Sequence, residues 1–504
     1  MANQIGTASN LEDLFGKILT FLTSNAALVS AGQAWQVLRV HRDNLLSLTT
    51  NLTEPTTANL RKTFHTCRYD ARSLNTNGLT QLRQASFYAT NNVNGTSYVQ
   101  MRLRQARAVA KVRLRAPRAG DQASMVRNFR LQYSDDGSSW TTALTVSSTG
   151  VYSEGEWRDF AVPGTPGSHA YWRIIIDSVQ TGSSNVGWAS MLLLEADGTV
   201  ANHFGSEVIL KATGLAGADE IFTGIRSEYD AAAGWYNLFL NGYAGFDPNE
   251  MSWFDQPGAL PGHGSAIPMA VPMVPCWDAS MPFWLVASGR SFRFAVKVST
   301  SYEGGYLGFL LPYSTPSQFP YPLLVGGSLC PQDTNRSAEW RYSYANWRHG
   351  VFPGPGADAS PAAESRWATL YMRTPTGQWT WFANRPNSSS SQADGIFGPS
   401  FNGTPPWSPG GAWRSVWPHC MNDQWGSGKR PYRECLGGGY MPQRCVLLQN
   451  TPFPAVWGEL EGVFSISGYQ NAPENTTTVG GVQHVVFQNA YRNTVHEFWT
   501  LSLD

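Results

Sequence analysis

Phe129-Arg130-Leu131-Gln132-Tyr133-Ser134 alternates apolar and polar side chains, and Asp135-Asp136-Gly137-Ser138-Ser139-Trp140 follows directly. Alternation at period two predicts a half-buried strand, and Asp-Asp-Gly supplies the tolerance of positive φ that a tight hairpin turn needs. Working outward, Trp157 to Val162, closed by Pro163-Gly164, reads as a second strand. Tyr171 to Ile176 reads as a third, with Trp172, Ile174 and Ile176 on one face, and Ala189 to Glu195 as a fourth. Upstream, Tyr98 to Leu103 and Ala108 to Leu114 alternate in the same way. Regularly spaced short strands separated by Gly, Ser and Asp turns predict a small antiparallel sandwich over residues 91–200.

The chain around this stretch has 504 residues, enough for two to four domains with ample core. Lys+Arg and Asp+Glu are both 36, so no net field draws the chain to nucleic acid or an anionic membrane. Only 14% of residues are charged, against 49 Gly, 20 Trp and 20 Tyr, a balance that suits a β-rich protein partly covered by neighbours. No run approaches the roughly 18 apolar residues of a membrane span. Met1-Ala2-Asn3-Gln4 lacks the basic and apolar regions of a signal peptide, so the secretory route is not expected. Cys67, Cys276, Cys330, Cys420, Cys435 and Cys445 are sparse and unevenly spaced, and read as reduced residues. Cys420, Cys435 and Cys445 with His419 lack the Cys-x2-Cys spacing of a zinc site, so no metal is expected.

Ser9-Asn10-Leu11-Glu12 has the pattern of a capping box and opens a helix with Leu11, Phe15, Ile18 and Leu22 in one stripe. That stripe packs either on its own domain or on another subunit; a role in subunit docking is the sharper expectation. Trp35 to Val40 reads as a strand, and residues 44–94 as polar and Thr/Asn-rich, which makes residues 1–90 an N-terminal attachment region. Arg102, Arg104, Arg107, Lys111, Arg113 and Arg115 form a local basic patch that reads as solvated or paired across an interface. Beyond Gly198 a second β-rich region covers residues 201–504, with hairpin patterns at Asp219–Leu240 and Phe283–Val298. Pro312 to Pro322 cannot donate regular ladder hydrogen bonds and should cross a surface or an edge. Residues 357–445 form an insertion rich in Trp, Pro and Gly, whose Trp379, Trp381, Trp407, Trp413, Trp417 and Trp425 are read first as packing residues.

Two resemblances follow from these residues. FRLQYSDDGSSWTT (Phe129–Thr142), EWRDFAV (Glu156–Val162) and YWRIII (Tyr171–Ile176) resemble the discoidin, or factor V/VIII type C, branch of the galactose-binding-like jelly rolls. That resemblance implies a sandwich that binds sugars, lipids or protein surfaces through the loops at one end, or serves as a spacer. Asp219–Phe246, Met281–Ser328 and Trp457–Asp504 resemble virion structural proteins of tailed bacteriophages, and Asn10–Trp35 resembles their start. What this implies is a tail or baseplate component.

Catalytic patterns fail on inspection. Gly426-Ser427-Gly428-Lys429-Arg430 has Asp423 where a phosphate loop needs glycine and Arg430 where it needs Ser or Thr. Gly262-His263-Gly264-Ser265 lacks the offsets of a nucleophile elbow. Glu459 and Glu461 share a strand face and mimic a glycosidase pair, but adjacent carboxylates leave no room for substrate between them.

The expectation is a mainly β, multi-domain, non-enzymatic chain without cofactor: a structural component of a phage tail, at the baseplate or tail tip, assembling as a symmetric oligomer. The alternative is a carbohydrate-binding protein that recognises the host envelope, with Tyr152 and Trp188 in the sandwich loops as candidate ligand contacts. A tail-borne hydrolase ranks last. Expected partners are other tail proteins, copies of the chain and a host surface glycan, with no nucleic acid and no membrane insertion. The expected location is the virion, after synthesis in the host cytoplasm.

Overall fold

The computed structural model describes residues 1–52, 87–90, 95–116, 122–153, 155–164, 166–180, 185–231, 234–254, 256–260, 272–313, 323–328, 368–383, 414–417, 442–449, 455–466, 471–488 and 498–504. The fold is mainly β, as the alternation predicts, and divides into two units. Met1–Arg39, Val208–Asp247 and Gln256–Asp504 form one; Val40–Glu207 with Pro248–Asp255 forms the other.

The smaller unit is the sandwich. Its five-stranded sheet runs Leu45–Thr50, Ser97–Arg107, His169–Val179, Val126–Ser134, Thr141–Val146, antiparallel throughout. A three-stranded sheet runs Ser190–Leu194, Lys111–Arg115, Trp157–Ala161, and Asn185–Trp188 pairs with Phe87–Thr90. Trp172, Ile174 and Ile176 point inward beside Phe129 and Leu131, all at 0% exposure. Phe129 meets Phe160 of the other sheet edge-on at 5.3 Å, so the two inner faces interdigitate. The first strand, Leu45–Thr50, lies in the stretch expected to be polar attachment sequence. It is an edge strand with Leu46 turned to solvent, and an edge shows little apolar periodicity.

In the larger unit a 14-stranded sheet faces a five-stranded one ordered Met273–Cys276, Trp235–Tyr243, Ile221–Asp230, Glu207–Ala212, Gln36–His41. Met281–Ala287 and Ser291–Val298 are buried on both faces of the large sheet. Phe283, Leu285, Phe292, Phe294 and Val296 enter one core, while Trp284, Val286 and Ala295 enter a second with Tyr306, Phe487 and Trp499. Period-two side chains facing two cores explain why FWLVA is apolar without a break.

The N-terminal region is not a separate attachment element. Ala2–Ala8 pairs antiparallel with Met281–Ala287, and helix Leu11–Ser24 buries Leu11, Leu14, Phe15, Ile18, Leu19, Phe21 and Leu22 in the first core. The docking role expected for Leu11, Phe15, Ile18 and Leu22 is therefore corrected: none exceeds 2% exposure, and the stripe is covered by this chain's own sheets. The cap also sits one residue later than the pattern suggests. Asn10 Oδ1 accepts from Asp13 N at 2.9 Å, Asp13 Oδ2 accepts from Ser9 N at 2.7 Å, and Glu12 turns away to Ser227 Oγ.

The expected insertion contributes regular strands: Ala368–Arg373, Trp379–Ala383 and Arg414–Trp417 belong to the large sheet. Trp379 lies in the first of its aromatic positions and donates from Nε1 to Gly258 O at 3.0 Å. Trp407, Trp413 and Trp425 lie outside the described residues, as do Pro316 to Pro322 of the proline run. Leu311–Pro312 at its start pairs with Gly458-Glu459 of the strand Ala455–Ile466. Cys276 and Cys445 are free and buried, and the other four cysteines lie outside the described residues.

Candidate functional site

The two ends of the sandwich differ. At one end Leu45 pairs with Leu103; the opposite end, where Val126 pairs with Val179, carries the Ser147–Glu156 connection and Gln180. The described part of this loop end is organised by Arg158. Its Nε donates to Glu156 Oε1 at 2.6 Å, and its terminal nitrogens donate to the carbonyls of Thr149 and Val151. The guanidinium lies over the Tyr152 ring, 4.3 Å from its centroid. Gln180 Nε2 donates to Gly150 O at 2.8 Å and Thr149 Oγ1 donates to Val126 O at 2.8 Å. Gly150 sits at φ +70°, a backbone conformation that L side chains rarely adopt.

Charge follows the same geometry. The Arg158 hydrogen bond, joined by one from Ser153 N–H, holds Glu156 below the usual carboxylate range. Burial pushes the Tyr152 phenol up to about 12, against the weaker pull of Thr149 and Arg158. The described part of the loop is thus held before any ligand arrives, with Val151 projecting at 82% exposure. A pre-ordered loop loses little conformational entropy when it binds.

The two residues expected to touch ligand are placed differently. Tyr152 is 4% exposed beneath Arg158, and Trp188 is 0% exposed in the strand paired with Phe87–Thr90. Neither offers a ring face to a sugar; both pack the loop end from inside. Val151 and Arg158, which no pattern along the chain singles out, form its surface.

The basic patch is divided by strand alternation between two sheets and is largely paired. Arg113 grips Asp159 at 2.5 and 2.8 Å, Arg104 meets Asp43 at 3.0 Å, Arg107 meets Glu195 at 3.5 Å, and Arg115 lies over Trp157. In the larger unit Glu459 and Glu461 are each engaged by a guanidinium, Arg444 on the first and Arg290 on the second. For Glu461, burial favours the neutral form, but Arg290, Arg293 and Ser291 outweigh it and hold the carboxyl below its ordinary range. A general acid needs the opposite shift. Among the described residues no three His, Cys, Asp or Glu side chains converge as metal ligands, and no helix is long and apolar enough to cross a membrane.

Residues 68–192 match the F5/8 type C domain family. No curated protein matches the chain. Among solved structures, a CBM32 module from Clostridium perfringens in complex with GalNAc-β-1,3-galactose is similar at 11% identity, over 29% of this chain and 91% of that one, with a TM-score of 0.19. The CBM32 of AlyQ, solved with 4,5-unsaturated mannuronic acid, is similar at 14% identity over 31% and 98%, TM-score 0.22. An F5/8 type C domain from Bacteroides fragilis is similar at 11% identity over 32% and 95%, TM-score 0.22. Likeness at this level carries no functional weight. The family match is what identifies the sandwich as a discoidin-like domain.

Proposed function

We propose that this chain is a non-catalytic binding protein that takes a saccharide at the Ser147–Glu156 end of its sandwich. The observation that carries the reading is the F5/8 type C match over residues 68–192, which include most of the strands of the sandwich. The resemblance stated for that family places ligands on the loops at one end, and the loop end here is fixed by Arg158 and exposes Val151. Binding without chemistry is supported by Glu461, whose guanidinium partner opposes the proton uptake an acid catalyst requires.

The resemblance of Asp219–Phe246, Met281–Ser328 and Trp457–Asp504 to tailed-phage virion proteins supports a role for the larger unit. The larger unit is an oligomeric tail component, and the sandwich is its contact with the host envelope. Locating the chain in a map of a purified particle tests that part.

The binding reading is tested on a glycan array with the full chain and with Val151→Asp, a change at an exposed tip that leaves the fold intact. Binding of a saccharide that falls at least tenfold in the variant is the expected result. No binding by the native chain removes the saccharide reading. Binding indifferent to Val151→Asp removes the loop end as its site.

A further inference from the structure

The outward face of the five-stranded sheet is a second surface, apart from the loop end. Strand register aligns Thr49, Gln100, Arg173, Gln132 and Thr142 as one row crossing all five strands. The adjacent row on that face is Ser47, Arg102, Tyr171 and Ser134. At about 4.8 Å per strand the first row is roughly 19 Å long. Thr49, Arg102 and Thr142 are exposed, and Gln100, Tyr171 and Arg173 half-buried.

Two guanidiniums on this face are held in place. Arg173 lies over Trp140, 4.1 Å from the ring centroid, and its Nε donates to Gln132 Oε1 at 2.7 Å. Gln132 Nε2 in turn donates to Thr142 Oγ1 at 2.9 Å. Arg102 lies 5.5 Å over the Tyr171 ring. Stacking fixes a guanidinium while leaving its terminal N–H groups pointing outward.

The nearby carboxylates are engaged elsewhere. Asp177 takes Arg130 at 2.8 Å, Asp43 takes Arg104 at 3.0 Å, and Asp135 meets His169 at 2.7 Å. Asp136 accepts the Ser138 and Ser139 N–H groups of its own turn at 2.7 Å. Among the described residues, Arg173 and Arg102 meet no carboxylate.

We propose that this face binds a linear acidic polysaccharide laid across the strands, with uronate carboxylates on Arg173 and Arg102 and hydroxyls on Gln100, Thr49 and Thr142, while the buried Gln132 holds Arg173 and Thr142 in place. Guanidinium matches carboxylate in a planar two-point contact, and amides and hydroxyls supply both donors and acceptors for sugar hydroxyls. Two cations diagonal to one another, roughly 7–8 Å apart, are too few for a nucleic-acid backbone with a charge about every 1.7 Å.

The test uses the full chain with polygalacturonate and with the same polymer fully methyl-esterified, by titration calorimetry at low and high salt. Polygalacturonate should bind, the methyl ester at least tenfold more weakly, and added salt should weaken the charged form alone. Arg173→Gln and Arg102→Gln should each weaken binding about fivefold or more and together abolish it, with unchanged circular dichroism and melting temperature. Val151→Asp, which tests the loop end, should leave polygalacturonate binding intact. The proposal is overturned by no binding of polygalacturonate, by equal binding of the two polymers, or by an indifferent double variant. Loss in Val151→Asp but not in the arginine variants overturns it too, moving the polymer to the loop end. Equal competition by single-stranded DNA at matched charge overturns it in favour of an unspecific polyanion surface.

Discussion

Replacing Glu461 by leucine strips the counter-charge from two arginines in the larger unit. Glu461 is 8% exposed on the strand Ala455–Ile466. Arg290 Nη2 donates to its Oε1 at 2.6 Å, and Ser291 Oγ donates to Oε2. Arg293, at 0% exposure, donates to Ser291 Oγ at 3.1 Å, and its burial pulls it below the usual guanidinium value despite the nearby Glu461 charge. Removing one member of a buried ion pair costs about 3–5 kcal/mol, because the remaining charge stays desolvated. Arg290 keeps 22% of its side chain in solvent and can relax outward, whereas Arg293 cannot, so Glu461→Leu should cost about 3 kcal/mol. Glu461→Gln keeps the shape and one acceptor and should cost about 2 kcal/mol.

The pH dependence has a fixed sign. The folded-state pKa of Glu461 lies below its unfolded value, which is about 4.3 for glutamate. Its contribution is therefore fully present above that value and is lost as pH falls through the folded pKa. Urea unfolding followed by tryptophan fluorescence checks this, since Trp284 and Trp499 share the core this face adjoins. The transitions of the two units are fitted separately. The gap between native chain and Glu461→Gln should be near its full size at neutral pH and shrink below about pH 4. A cost under about 0.5 kcal/mol for Glu461→Leu, or a gap that does not change with pH, would refute the reasoning.

Phe15→Ala should destabilise the larger unit by about 3–5 kcal/mol, because a ring at 1% exposure leaves a cavity between two sheets. An unchanged unfolding midpoint would show that the helix is peripheral, and a changed oligomeric state without loss of stability would restore its docking role. Gly137→Ala places a Cβ 3.0 Å from Tyr171 Cε1 at φ +75°, so the sandwich should lose about 1–2 kcal/mol. Its melting temperature measures this, and no shift would mean that the turn relaxes freely.

Some of this protein was written in local sequence. The alternation of Phe129 to Ser134 and of Tyr171 to Ile176 determined the sandwich, because burying one face of a strand requires apolar side chains at every second position. The Asp135-Asp136-Gly137 turn was equally legible, since Asp136 closes it with its own neighbours' N–H groups. The hairpin of Ile221–Asp230 with Trp235–Tyr243 and that of Met281–Ala287 with Ser291–Val298 were visible for the same reason.

Only the tertiary structure decided which surfaces those elements cover. The stripe Leu11, Phe15, Ile18, Leu22 is identical whether it meets its own core or a neighbour, and the pairing of Ala2–Ala8 with residues far along the chain settles which. Tyr152 and Trp188 have the composition of sugar platforms, but exposure belongs to the packed molecule, and there they are inside. Arg102 and Arg173 lie 71 positions apart and become neighbours only through the register of Ser97–Arg107 on His169–Val179. Periodicity is a property of contiguous residues, whereas register, burial and charge pairing arise between residues that the chain brings together from a distance.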